Sequence, residues 1–143
     1  AAGPSQCTSQ SHRDHQFAAM LNGYRASAGL CRSEEIRRMV QCRDEVPGAM
    51  LLRWMINRKV ICFEWLSQTW FPWFQFQNSE MRPLPELTRV FAELTPFLDA
   101  WELANWFIQP NPWLEDRTPV DALQVNPSAI LQAARADRFV AAG

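Results

Sequence analysis

The hydrophobic period of this chain changes twice along its length, and that change limits the folds it can adopt. From Asp14 to about Arg58, apolar residues recur every three to four positions, as in helices. Residues 60–76 (VICFEWLSQTWFPWFQF) are β-branched and aromatic and predict a β-hairpin, with Pro72 confining the second strand to an edge or a bulge. The helical period then returns. We therefore predict a mainly α fold with one short hairpin.

The order of these elements predicts three parts. Residues 1–13 are small, polar and aperiodic, so we expect a disordered lead. Residues 14–80 are expected to form three helices followed by the hairpin, which is the order of a winged helix-turn-helix lobe. Residues 81–143 are expected to form a helical lobe, with helix starts at Asp99, Thr118 and Asn126. The helix after Asp99 has Trp101, Leu103, Trp106 and Phe107 around much of its circumference, so we expect these residues to lie in the core. At 143 residues the chain makes one domain or two small lobes that share a core.

Residues suited to catalysis or metal binding are few. The chain has two His and four widely spaced Cys, with no Cys-x-x-Cys pair. His12 and His15 are three apart and can share a metal on a helix, but no second ligand pair follows, so we predict no metal site. Without a nucleophile–base pair or a Gly-rich phosphate loop, we predict neither enzyme activity nor a cofactor.

We recognise no signal peptide and no apolar run near the ~18 residues of a spanning helix, so we expect a cytoplasmic protein with reduced thiols and no membrane contact.

Seven Trp is a large number for this length. Four aromatic residues crowd the predicted hairpin, more than a two-stranded ribbon hides against three small helices, and exposed aromatic edges seek partners. We therefore expect a homodimer through Trp65, Trp70, Trp73 and Phe74.

Charge is unevenly distributed along the chain. Residues 1–62 contain nine cations against five acids, whereas residues 63–143 contain five cations against ten acids. One explanation is that solvated surface charges are distributed this way by chance. The alternative is a basic lobe that contacts DNA phosphates as winged helices do, although its third helix offers Met, Leu and Trp where a groove reader uses polar side chains. The candidate DNA-binding residues are Arg37, Arg38, Arg53, Arg58 and Lys59.

The segment 101–139 contains three Trp, one of them in a Pro-Asn-Pro-Trp turn, and a Thr-Pro-Val-Asp helix start, with no His, Cys or Lys. It has bulky aromatic residues and tight turns but few groups suited to catalysis, which favours a protein-binding surface. It resembles the toxin-binding domain of bacterial antitoxins of the Xre/MbcA/ParS type, and the similarity extends from about Ile61 to the C-terminus. The matching residues are Trp106-Phe107, Pro110-Asn111, Trp113-Leu114, Arg117, Pro119, Asp121, Leu123, Ile130, Ala133-Ala134 and Phe139, with the strand Phe71–Phe76 before a Pro-Glu-Leu helix.

This resemblance implies a small antitoxin that neutralises a companion toxin. The partner expected for such a family is a RES-domain, NAD-consuming enzyme, whose active site the C-terminal helix covers. A tip that combines Arg and Phe suits an anion-binding pocket with an apolar slot. The alternative is a DNA-binding transcriptional regulator that uses the basic lobe. The expected toxin-binding residues are Asn111, Trp113, Arg117, Asp121, Arg135, Arg138 and Phe139.

Overall fold

The computed structural model describes residues 4–41, 48–76 and 82–143. Within them the chain is mainly helical with a small antiparallel sheet, which confirms the predicted fold class at that level. The elements are α1 (Pro4–Tyr24), β1 (Leu30–Arg32), α2 (Ser33–Gln41), α3 (Ala49–Ile56), β2 (Phe63–Trp65), β3 (Gln68–Pro72), α4 (Pro85–Leu94), α5 (Ala100–Trp106), α6 (Pro119–Val125) and α7 (Pro127–Ala142), with 3-10 turns at Arg25–Ser27, Trp73–Gln75 and Pro112–Leu114.

The predicted hairpin is present, and a third strand joins it. Strands β2 and β3 pair antiparallel around a turn at Leu66 and Ser67, whose φ angles are 49° and 61°. Two successive left-handed residues suit the twist of a hairpin. Strand β1 pairs with the other side of β3, which gives the order β1-β3-β2. This strand was not predicted, because three residues between two helices carry no readable period.

Pro72 lies in the central strand, so the prediction of an edge strand is wrong. It is the last residue of β3 and lies opposite Leu30 of β1. The pairing with β2 ends earlier, at Trp70 opposite Phe63. Because the proline lies beyond that pair, its missing N–H removes no hydrogen bond to β2.

Both faces of the sheet are covered, which explains why its strands are aromatic on both sides. Successive residues of a strand point to opposite faces. Trp70 packs against the larger of two hydrophobic cores, whereas Phe71 lies in the smaller one. The smaller core joins the sheet to α2 through Ile36 and to α3 through Leu51. The larger core lies between the sheet, α1 and the C-terminal helices, so it spans the boundary that we predicted at residue 80.

Helix α1 begins at Pro4, so the prediction of a disordered lead over residues 1–13 is corrected for residues 4–13. Residues 1–3 lie outside the described chain. Contacts from distant parts of the sequence explain the difference. The Arg13 guanidinium lies 5.0 Å from the centroid of the Trp101 ring, and Gln16 Oε1 accepts a hydrogen bond of 2.7 Å from Trp101 Nε1. Composition does not reveal such contacts.

The aromatic side chains assigned to a homodimer interface pack inside the chain. The Phe17 ring stacks on Trp65 at 3.9 Å between centroids and meets Trp70 edge-on at 5.1 Å. Phe74 is buried and stacks on Tyr24 at 5.7 Å. The prediction that these residues seek a partner is therefore wrong in its premise, because α1 and the C-terminal helices cover the face we expected to be open. The homodimer stays a prediction without that support, and Trp73 packs on Phe76 at 5.8 Å.

Side-chain caps define the starts of two C-terminal helices. Asp99 and Glu102 form the predicted capping box at α5, with Asp99 Oδ1 accepting from the Glu102 amide at 2.8 Å. The Thr118 hydroxyl oxygen accepts from the Asp121 amide at 3.3 Å at the start of α6. Asn126 precedes α7, but its side-chain oxygen accepts from the Ser128 hydroxyl instead of capping the backbone. These starts fix where the C-terminal helices begin.

Gln75 is fully buried, and its amide makes three hydrogen bonds that hold the chain leading into the hairpin. Its Oε1 accepts from the Ile61 N–H at 2.6 Å, and its Nε2 donates to the carbonyl oxygens of Ile61 and Pro72 at 2.8 and 2.9 Å. The side chain thus substitutes for a strand partner at Ile61. Buried backbone groups left without a partner are costly.

We expect Gln75→Ala to lower the free energy of unfolding by roughly 3 kcal/mol, because the buried N–H and carbonyl of Ile61 lose their partner. Urea denaturation followed by circular dichroism measures this. Gln68→Ala is the matched control, since Gln68 is exposed on the same hairpin and its loss should cost less than about 0.5 kcal/mol. Equal effects of the two changes would contradict the structural role of Gln75.

Candidate functional site

Residues 111–117 form a closed loop between α5 and α6. The Asn111 amide donates to the Arg117 carbonyl oxygen at 3.0 Å, and the Asp116 amide donates to the Asn111 carbonyl oxygen at 3.0 Å. The side-chain oxygen of Asn111 accepts from the Trp113 amide at 2.9 Å and caps the turn that begins at Pro112. Asn111 is itself buried, with 5% of its surface exposed. Its expected role in contacting a partner is therefore indirect, through the shape of the loop.

Hydrogen bonds to the carboxylate of Asp137 in α7 hold this loop in place. It accepts from Trp106 Nε1 at 2.8 Å, from Asn111 Nδ2 at 3.2 Å and from Trp113 Nε1 at 3.0 Å. Hydrogen bonds to an ionised carboxylate are stronger than neutral ones. We call Asp137 and these three donors the Asp137 network. It holds the Trp113 indole in one orientation although 56% of that residue is exposed.

The loop contains two residues in the left-handed region. Glu115 has φ 58° and Asp116 has φ 63°. This conformation costs roughly 1–2 kcal/mol for a residue with a Cβ, so the surrounding hydrogen bonds must hold it. The consequence is a sharp turn that brings Arg117 back beside Asn111, where the two backbones pair.

Arg135 and Arg138 lie on another side of α7 and share one carboxylate of α4. Glu93 Oε2 accepts from Arg138 Nη1 at 2.9 Å, and Glu93 Oε1 lies 3.5 Å from Arg135 Nε. The hydrogen bond from Arg138, with the charges of both arginines, holds the pKa of Glu93 below its ordinary value, although burial acts in the opposite direction. The two cations are thus paired within the chain, with 51% and 50% of their side chains exposed.

The seven residues expected to bind a toxin do not form one cluster. The Asp137 network brings Asn111 and Trp113 together, Glu93 brings Arg135 and Arg138 together, and Phe139 is 81% exposed near the end of α7. Arg117 and Asp121 are exposed on the loop and on α6. Arg117 also lines a groove of about 220 Å³ beside Trp113, Leu114, Ala122, Val125 and Ala129.

Sequence reasoning missed the three side chains that hold this surface together. Asp137 and Glu93 are ordinary charged positions of amphipathic helices, and Trp106 was predicted to be a core residue. Trp106 is instead half-buried, with its ring packed on Phe107 at 4.9 Å and its N–H on Asp137. The only available signal was that Asp137 lies between two arginines of a tail that carries few acids.

The five candidate DNA-binding cations are exposed but do not line one common cavity. Arg37 lines one cavity beside α3, and Arg58 lines another beside α4 and α5. Arg53 and Lys59 line a third with Arg82, which was not predicted. Arg38 is exposed on α2. On α3 itself, the exposed large side chains include Leu52 and Ile56, 56% and 69% exposed.

The described cysteine and histidine side chains form no reactive centre with one another. Burial, with a smaller contribution from the Glu35 charge, raises the pKa of the Cys31 thiol to about 12, and burial also raises that of Cys62. His12 and His15 are exposed on α1. In the part of the chain that the structure describes, no three residues of the metal-ligating types come together. The side chains of Cys7 and Cys42 lie outside it.

No helix among the described residues is both long and apolar enough to cross a bilayer. Comparison with known proteins gives no match, whether with family models, curated proteins or solved structures. The similarity to antitoxins therefore depends on the sequence motifs alone, and the functional argument depends on the geometry described above.

The ion pairs of Glu93 with Arg135 and Arg138 predict that the stability lost when Glu93 is replaced depends on pH. Because the folded-state pKa of Glu93 is lowered, its contribution is complete above the ordinary glutamate value of about 4.3 and is lost as pH falls through the lowered value. We expect Glu93→Gln to be less stable than the parent chain at pH 7, with the difference disappearing in acid. Urea denaturation at a series of pH values measures it, and a difference that stays constant with pH would contradict the charge pairing.

Proposed function

We propose that this chain is a non-enzymatic, antitoxin-like module that binds a companion toxin of the RES-domain type with its C-terminal lobe. The loop 111–117 and the end of α7 form the contact surface, and α7 covers the toxin's active site. Neutralisation takes place in the cytoplasm, where the thiols of Cys31 and Cys62 stay free. The sequence resemblance at residues 101–139 supports the choice of partner.

The observation that carries the proposal is an exposed tryptophan that the chain itself holds rigid. Trp113 keeps 56% of its surface in solvent while its N–H is bound to Asp137. Aromatic residues with little freedom left to lose are the usual anchors of protein interfaces. Phe139 and Val140 add 81% and 65% exposed apolar side chains on α7. Val140 follows Asp137 by three residues and therefore lies on the same side of the helix.

The arginines of α7 support a contact with an anionic group. Glu93 orients Arg135 and Arg138 without covering them, so each presents about half of its side chain to a partner (51% and 50% exposed). An arginine held in place loses less conformational freedom when it binds a phosphate or a carboxylate. A toxin that binds a phosphate-bearing dinucleotide has such a pocket for anions.

We expect Trp113→Ala and Phe139→Ala each to weaken binding to a RES-domain protein encoded beside this chain about 30-fold, since an anchor residue contributes roughly 2 kcal/mol or more. Both side chains are largely exposed, so the melting temperature should change little. Calorimetric titration measures the affinity, and rescue of cell growth measures neutralisation. Ile56→Ala is the matched control, because Ile56 is 69% exposed but lies on α3.

Loss of binding in Ile56→Ala, with Trp113→Ala and Phe139→Ala unaffected, would contradict the proposal and move the interface to the N-terminal lobe. Truncation after Ala134 is a poor test. It removes Asp137, and with it the hydrogen bonds that hold Trp106, Asn111 and Trp113. The residues after Ala134 therefore make structural contacts as well as carrying the expected toxin-binding side chains.

A second candidate is a DNA-binding regulator. The element order α1-β1-α2-α3-β2-β3 and the strand order β1-β3-β2 resemble those of winged helices, and the exposed cations of α2 and α3 favour phosphate contacts. Leu52 and Ile56 on α3, and a hairpin turn at Leu66 and Ser67 that carries no cation, are not the polar and basic side chains of a groove reader and weaken this candidate. A gel shift on the DNA upstream of this gene, repeated at rising salt, separates the two because phosphate-driven binding weakens steeply.

A further inference from the structure

Three cations from two parts of the chain line one cavity of about 520 Å³. Arg53 lies in α3, Lys59 follows that helix, and Arg82 precedes α4. Trp54 and Thr88 line the same cavity, and none of the described residues that line it is acidic. We propose that this basic cavity binds a nucleoside monophosphate, with the phosphate on the three cations and the base against Trp54.

The charges of the basic cavity lack partners within the described chain. Ion pairs elsewhere join Arg32 to Glu35 and Glu93 to two arginines of α7, but no described carboxylate lies within ion-pair distance of the cavity's three cations. Like charges around one concave site repel each other and concentrate positive potential there. A bound dianion removes that repulsion, and Arg and Lys are the side chains that proteins use to hold phosphate.

Backbone contacts hold the walls of the cavity before any ligand arrives. The Lys59 amide donates to the Trp54 carbonyl oxygen at 2.9 Å, which closes the end of α3. Next to Arg82, Pro83 pairs with Phe76 in an isolated bridge. Trp54 itself packs on Phe76, with ring centroids 6.1 Å apart. The backbone segments that carry Lys59 and Arg82, and the Trp54 ring, are therefore in place before a ligand binds.

The shape of the site favours a small phosphorylated molecule over a DNA duplex. Its volume falls in the range of small-ligand pockets, about 300–1,000 Å³. A helix that reads a DNA groove carries polar side chains on a protruding face, whereas the exposed large side chains of α3 include Leu52 and Ile56. Trp54 offers an aromatic wall on which a base can stack, as bases do on aromatic side chains in nucleic-acid-binding proteins.

Calorimetric titration of the full chain with adenosine monophosphate at low salt tests the proposal. We expect binding that the double change Lys59→Ala/Arg82→Ala weakens at least about tenfold, since hydrogen bonds to charged groups contribute roughly 1.5–3 kcal/mol. Arg89→Ala is the matched control, because Arg89 is an exposed cation of α4 outside the cavity, and its affinity should stay within about twofold of the parent. Circular dichroism checks that each variant is folded, and Arg82→Gln replaces the double change if that one is not.

Two further ligands separate the sources of binding. Ribose 5-phosphate should bind more weakly than adenosine monophosphate, because it has no base for Trp54, and equal affinities would overturn the nucleotide assignment. Absence of adenosine monophosphate binding at millimolar concentration would overturn the proposal. A duplex that binds through Lys59 and Arg82 when the mononucleotide does not would also overturn it, and would favour the DNA-binding function.

Discussion

The carboxylate of Asp137 holds the candidate binding surface in its shape. Asp137 accepts hydrogen bonds from two indoles and one amide, and these three donors come from α5 and from the loop 111–117. Without it, the exposed indole of Trp113 loses the hydrogen bond that orients it, and the loop loses two side-chain hydrogen bonds to α7. The same helix is tied to α4 on another side through Glu93. The C-terminal helix is therefore a structural support as well as a candidate contact.

The sheet explains why the two halves of the chain behave as one unit. Its two faces are both apolar, so neither half can leave it without exposing aromatic rings to water. Helix α1 crosses the larger face, and the hydroxyl of its fully buried Tyr24 donates to the Ala104 carbonyl oxygen of α5. A residue of the first helix is thus satisfied by one that lies 80 positions further along the chain. Either lobe alone would leave such groups without hydrogen-bond partners.

The sequence predicts local features of this fold better than distant ones. The hairpin, the capping box at Asp99 and the helix start at Thr118 follow from neighbouring residues, and the structure contains all three. The strand β1, the early start of α1 and the central position of β3 depend on partners far along the chain. At the candidate site, Trp113 was predicted from the resemblance to antitoxins and Phe139 also from its chemistry, and both are exposed. The carboxylate of Asp137 that holds this surface was not predicted, because the sequence of a helix does not show whether a carboxylate faces water or accepts hydrogen bonds from three N–H groups.

Amide hydrogen exchange of this chain, alone and with a RES-domain protein encoded beside it, tests the central claim most directly. The account predicts new protection at residues 111–117 and 135–143, where the loop and the end of α7 meet the partner. Exchange at α3 and its following turn should not change. Protection confined to residues 49–59, with the loop and α7 unaffected, would contradict it.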